Sequence, residues 1–91
     1  MTVRIGDWEF DSHAYDAEAD VLYLSIGEPQ DGYGEETPEG HILRFDNDDE
    51  FCGLTLVNVR YLLDRGELAI TLPRREETSS VMPEELECAL A

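Results

Sequence analysis

Residues 21–26 set the pattern of this chain, with Leu22, Leu24 and Ile26 on one side of an alternation and Val21, Tyr23 and Ser25 on the other. A period of two marks a strand, and one that is largely apolar on both faces belongs in the middle of a sheet. Just before it, residues 15–20 read as an acidic turn, because the carboxylates of Asp16 and Asp20 can accept backbone N–H groups one to three positions on. Residues 7–11 also alternate, Trp8 and Phe10 against three carboxylates, and predict a strand with one wet face. The expected pairing is a hairpin between residues 7–11 and 21–26 through the turn at 16–20. Each aromatic would then bury about 150 to 250 Å² against Leu22 and Leu24. Residues 1–6 read as a short leader.

Further along, residues 27–31 form a turn cluster in which Pro29 prevents a continuing central strand. Residues 32–37 suit only a short, irregular edge strand, because Gly32 and Gly34 interrupt Tyr33, Glu35 and Thr37. Residues 41–46 alternate again, Ile42 opposite Leu43 and Phe45, and Asp46 opens a second acidic turn. In residues 51–57 strict alternation puts Leu54 and Leu56 with Cys52, and Gly53 with Phe51 and Val57. Gly53 inside a strand marks a bulge or a place where an aromatic, Tyr23, lies over bare backbone. Asn58 reads as a helix N-cap, Val59, Leu62 and Leu63 as one helical face, and Gly66 as the residue that closes the helix. Residues 67–72 alternate with Leu68, Ile70 and Leu72 inward, and Pro73 ends that strand.

The predicted class is α+β, a meander-like antiparallel sheet of about five strands with one short helix after Val57. The boundary falls at Pro73, giving a single domain over residues 1–73. Residues 74–91 form a polar linker and a short C-terminal helix or tail, started at Pro83 and carrying Leu86 and Leu90 four apart.

Charge changes the picture. The chain of 91 residues holds 22 Asp and Glu against 6 basic residues, all Arg, for a formal net charge of -16, while 42% of its residues are hydrophobic. The apolar content predicts folding, and the acidity repels phosphate, so nucleic acid and anionic membranes are poor partners. Basic proteins, divalent cations or no partner at all are left open, the last being a solvated surface whose charge has no binding role. Two cysteines make no disulfide framework: Cys52 reads as a small buried hydrophobe and Cys88 lies near the end. With no apolar leader or membrane-length run, a reducing, cytoplasmic setting is expected.

The segment Tyr15-Asp16-Ala17-Glu18-Ala19-Asp20-Val21-Leu22-Tyr23-Leu24, followed by residues 46–57 with Gly53-Leu54-Thr55-Leu56, resembles the small bacterial family called domain of unknown function 2283. The chain departs from that pattern at Asp49, where glycine is usual, and at Thr55, where an acid is common. The resemblance implies a compact α+β domain, no assigned activity, and companionship with other small proteins, toxin-like ones included.

Candidate chemistry is sparse. Asp46, Asp48 and Glu50 alternate like the start of a calcium loop, but Phe51 and Val57 occupy the places of its glycine and its final glutamate. His13 and His41 are the only imidazoles, and no nucleophile elbow, phosphate loop or Cys-x-x-Cys accompanies them. No enzyme activity and no cofactor are therefore expected. The functional expectation is an acidic interaction module for a basic or toxin-like protein, with Tyr15, Asp16, Asp20, Tyr23 and Gly53 as the residues of interest. Tyr15 and Tyr23 have two readings: an exposed aromatic and acidic patch that recruits arginine, or, the one preferred, a structural pair in which Tyr15 pins the turn and Tyr23 packs over Gly53. The alternative is a weak divalent-metal-binding or metal-dependent hydrolytic domain using Asp46, Asp48 and Glu50, or Asp16 and Asp20. A homodimer through a sheet edge or the Leu86 and Leu90 face is a further expectation.

Self-repulsion among uncompensated carboxylates is screened by salt. The urea midpoint of unfolding should therefore rise between low and near-molar sodium chloride, and a midpoint that stays constant or falls would show that the acids are already balanced locally.

Overall fold

The computed structural model describes residues 3–5, 8–27, 32–71, 78–80, 86, 89 and 90. Its elements in chain order are strands β1 (Val3–Ile5), β2 (Trp8–Phe10), β3 (Ser12–Asp16), β4 (Val21–Ser25), β5 (Gly32–Glu36), β6 (Ile42–Asp46) and β7 (Phe51–Val57), helix α1 (Val59–Asp64), and strands β8 (Ala69–Thr71) and β9 (Thr78–Ser80). Five of the strands form one antiparallel sheet in the order β3-β4-β7-β6-β5. The pairs β1-β2 and β8-β9 are separate two-stranded sheets. The class is the α+β expected.

Strand order follows apolar content. β4 and β7 lie side by side at the centre, with Leu22 opposite Leu56 and Leu24 opposite Leu54, all four fully buried. β5 has no apolar face to bury and takes an edge, every residue exposed. Only β5, β6 and β7 run as a meander; the chain leaves β4 and crosses to the far edge before returning beside it, a Greek-key path.

The first hairpin differs from expectation. The turn after Asp16 sets Asp16 opposite Val21, so the partner of β4 is Ser12–Asp16 and not residues 7–11. β2 turns back on Val3–Ile5 instead, and the supposed leader supplies buried Val3 and Ile5. Phe10 is still fully buried in the core with Leu22 and Leu24, and Trp8 packs edge-on against Phe51 at 4.7 Å between ring centroids.

A second difference is the bulge in β7. Arg44 pairs with Gly53 and Phe45 with Phe51, which leaves Cys52 as an extra residue against β6. One inserted residue reverses the facing of everything beyond it. Phe51 therefore joins Leu54 and Leu56 in the core, where it meets Phe10 and Phe45, and Cys52 is only half-buried.

The core lies on one side of the five-stranded sheet. There Val3, Ile5 and Phe10, Val59 and Leu63 of α1, Leu68 and Ile70, and Leu86, Ala89 and Leu90 close over Leu22, Leu24, Leu54 and Leu56. The polar stretch expected to be linker thus contributes β9, paired with β8. Leu86 and Leu90 dock as a pair, the Leu90 N–H donating to the Leu86 carbonyl at 3.2 Å. Both side chains are buried against their own chain. The turn at Pro29, the strand end at Pro73, the helix start at Pro83 and Cys88 lie outside the described residues.

His41, fully buried, pins the end of the sheet: its Nδ1 accepts the Val57 N–H at 3.1 Å. The proton therefore sits on Nε2, which is buried and makes no hydrogen bond among the described residues. Burial holds this imidazole below its ordinary value of 6.5, against the smaller upward pull of Glu39 and the Ala69 carbonyl. Below 6.5 the unfolded chain takes up a proton that the folded chain resists, so folding stability is fully present above that pH and declines as pH falls toward the depressed value. Thermal melts should lose midpoint from pH 7.5 to 5.5 by an amount that His41→Gln reduces; an unchanged pH slope in the variant would remove His41 from the account.

Candidate functional site

The acidic turn between β3 and β4 is built by its two aspartates. Asp16 Oδ1 accepts the N–H groups of Glu18 at 3.1 Å and Ala19 at 3.3 Å, closing the chain on itself. Asp20 then adopts a left-handed conformation, φ 55°, which aspartate tolerates better than most residues. That conformation leads directly into Val21, whose cross-strand partner is Val57, the residue just before Asn58 and α1. The register thus delivers Asp20 to the start of a helix some forty residues away.

There Asp20 meets the needs of the whole first turn. Its backbone carbonyl accepts the Val59 N–H at 3.2 Å, Oδ1 accepts the Arg60 N–H at 2.9 Å, and Oδ2 accepts the Tyr61 N–H at 3.1 Å. A helix leaves its first N–H groups without internal acceptors, and here one aspartate from another strand supplies three of them. Asn58, expected to be the N-cap, stands at that position but is left-handed, φ 56°, and its side chain caps nothing. At the other end Gly66, φ 69°, closes the helix as predicted: its N–H donates to Leu63 and the Glu67 N–H donates to Leu62, the two bonds of a Schellman motif.

Tyr15 belongs to the same assembly. It lies on the core side of β3 opposite Leu22, half-buried, and its hydroxyl donates to Asp20 Oδ1 at 2.8 Å. The hydrogen bond to Asp20 is the main cause that raises the Tyr15 phenol above its ordinary value, with burial second. Partial desolvation pushes the Asp20 carboxyl up, but the Arg60 N–H, the Tyr15 hydroxyl, the Tyr61 N–H and the Arg60 charge outweigh it, so Asp20 titrates below its ordinary value.

Tyr23 is elsewhere. It points from the opposite face of β4, between Ala14 and Thr55, and is 43% exposed. Tyr15 shares the face of its partner Leu22, and Tyr23, the next residue of β4, faces the other side, so the two do not form one patch. Nor does Tyr23 cover Gly53: a Cβ there would meet the Leu24 carbonyl oxygen at 2.9 Å and the Arg44 Cβ at 3.7 Å, so the arginine stem lies over the bare backbone. Gly53 is the cross-strand neighbour of Arg44, which the bulge next to it fixes.

The second acidic turn repeats the plan of the first. Asp46 Oδ1 accepts the N–H groups of Asp48 at 2.8 Å and Glu50 at 3.0 Å. Asp49, at the position where glycine is usual in the resembled family, is left-handed, φ 62°, and accepts the Tyr33 hydroxyl at 2.8 Å. The loop is the three-residue kind that ends on a left-handed residue, not a two-residue turn. That hydrogen bond is the leading cause raising the Tyr33 phenol above its ordinary value. Both turns spend aspartates on backbone N–H groups, and among the described residues no three His, Cys, Asp or Glu side chains are grouped to hold a metal ion.

A small Greek-key sheet, covered on one face and tied to a short helix by an aspartate from its first hairpin, defines this protein as a compact α+β domain. The family model described as protein of unknown function (DUF2283) matches residues 14–60, slightly more than half of the chain, and the chain belongs to that family. The matched stretch runs from β3 to Arg60 and so contains both acidic turns, the central strands and the start of the capped helix. Comparison with curated proteins and with solved structures gave no match. No helix among the described residues is long and apolar enough to cross a membrane.

Asp20→Ala should cost about 2 to 4 kcal/mol of folding stability, because it strips two helix N–H groups and a phenol of their acceptor. Tyr15→Phe should cost roughly 1 kcal/mol in the parent and almost nothing once Asp20 is alanine. Urea unfolding of the four proteins in that cycle measures the coupling, and additive losses would mean that Tyr15 and Asp20 act separately.

Proposed function

We propose that this protein is a non-enzymatic interaction module, an acidic companion of a basic protein that works in a reducing, cytoplasmic setting. The observation that carries this reading is the division of labour among its acids. The aspartates of the motif, Asp16, Asp20 and Asp46, are occupied with backbone N–H groups and hold the fold. The charge that remains is displayed: Glu18, Glu35, Glu36, Asp48 and Glu50 are all exposed on turns and an edge strand. With a net charge of -16, the long-range field attracts cations and repels phosphate, which favours a basic protein over nucleic acid or an anionic membrane.

The family resemblance supports companionship with other small proteins, toxin-like ones included, and brings no activity. Affinity capture on the immobilised chain at low salt, with elution by a salt gradient and mass spectrometry, tests the reading. The expected outcome is one or a few strongly basic proteins that leave as ionic strength rises. Recovery of no basic protein, or of proteins indifferent to salt, would count against it.

A further inference from the structure

The face of the five-stranded sheet turned away from the core is uncovered among the described residues. Across its middle the register sets Ala14, Tyr23, Thr55, Ile42 and Glu36 in one row. Tyr23 is 43% exposed and Ile42 37%, while Thr55 between them is buried. Half-buried Val21 and Val57 extend the apolar ground on one side of this row. Glycines keep the surroundings low: a Cβ on Gly34 would come within 2.9 Å of Ile42 Cγ2, and Gly53 carries only the stem of Arg44.

The acids stand at both ends of these strands. Asp16 stands beside Val21 at one end, with Glu18 in the turn that follows it, and Asp48 and Glu50 lie in the turn at the other end, beyond Arg44 and Gly53. An apolar row running across the strands, with carboxylates on either side of it, matches an amphipathic helix laid perpendicular to the strands. Strands are spaced about 4.8 Å apart, so the stretch from Ala14 to Ile42 spans roughly 14 Å. Apolar residues at i, i+4 and i+7 of a helix cover about 10.5 Å of that length. Arginine or lysine on the two flanks of such a helix would face the two acidic turns. A second copy of this chain does not fit, because it would bring another net charge of -16 to the same carboxylates.

We infer that this open sheet face, centred on Tyr23, Thr55 and Ile42, docks a basic amphipathic helix of a partner protein. The inference rests on the companion reading above and adds the surface and the shape of the ligand. Among the described residues Arg44 is the cation on this face and works against the docking, setting a limit on how tightly a basic helix is held.

The test uses the full chain and a fluorescein-labelled 16-residue helical peptide, with leucine at i, i+4 and i+7 and lysine on both flanks, titrated by anisotropy. Tyr23→Ser combined with Ile42→Thr should weaken binding at least tenfold, and Arg44→Glu should tighten it severalfold. Tyr61→Ser, at a tyrosine 58% exposed on α1 and off this face, should leave affinity unchanged. Thermal melts of each variant establish that it is folded, and amide shift changes in the unmodified protein give a reading that needs no variant. The largest changes should fall on Tyr23, Thr55 and Ile42. If the peptide binds but the double variant is unaffected and the shifts gather in the acidic turns, the face is wrong and the companion reading stands. If the unmodified chain binds no cationic peptide even at low salt, both fall.

Discussion

The hydrogen bonds from the start of α1 to Asp20 hold this domain to one arrangement. A six-residue helix with its own Asn58 left-handed has little intrinsic stability, since a helix this short does not persist alone in water. What makes it stand is an acceptor fixed in place by a hairpin on a neighbouring strand. That acceptor is in position only if Val21 and Val57 face each other, so the register of the two central strands and the helix are established together. A slip of one residue would turn either Leu22 and Leu24 or Leu54 and Leu56 outward and also carry the carboxylate away from Arg60 and Tyr61.

This coupling explains why a chain so rich in acids is not simply a charged surface over a core. Glu39 shows the same use of a carboxylate: its two oxygens accept the N–H and the hydroxyl of Thr71, tying the β5-β6 turn to β8. Desolvation pushes Glu39 up, yet the bonds from Thr71 and Thr37 win and hold it below its ordinary value. Ion pairs contribute less. Arg4 with Glu9 and Arg65 with Glu67 are exposed, and Arg60 with Asp64 is partly so, where such pairs add little to stability.

The strands at residues 21–26, 41–46 and 51–57, the helix after Val57 and its closure at Gly66 were legible because each rests on local information: period two, period 3.6, and a glycine that can turn left-handed. Strand pairing was not, because alternation in residues 7–11 says that a strand exists and nothing about its neighbour. Val3–Ile5 is three residues long, below the length at which alternation separates from chance. The bulge at Cys52 was half legible: Gly53 announced an irregularity, but its position decided whether Phe51 faced the core, and only pairing with Phe45 fixes that. Asn58 had the right residue type for a cap, and the true acceptor came from a residue that no local rule connects to it. Tyr15 and Tyr23 shared a motif and so invited a single role, although their separation by the turn assigns them to opposite sides of the sheet.

The stretch matched by the family contains four strands of the main sheet and the end of β3 but little of what lies over its leucines. Val3, Ile5, Phe10, Leu63, Leu68, Ile70, Leu86, Ala89 and Leu90 all fall before or after it. A polypeptide consisting of the matched part alone would expose four leucines to water, and would have to recruit a roof from flanking sequence or from a neighbouring molecule. In this chain the two small hairpins and the terminal leucines are that roof, which makes the sheet a chassis on which different coverings can be mounted.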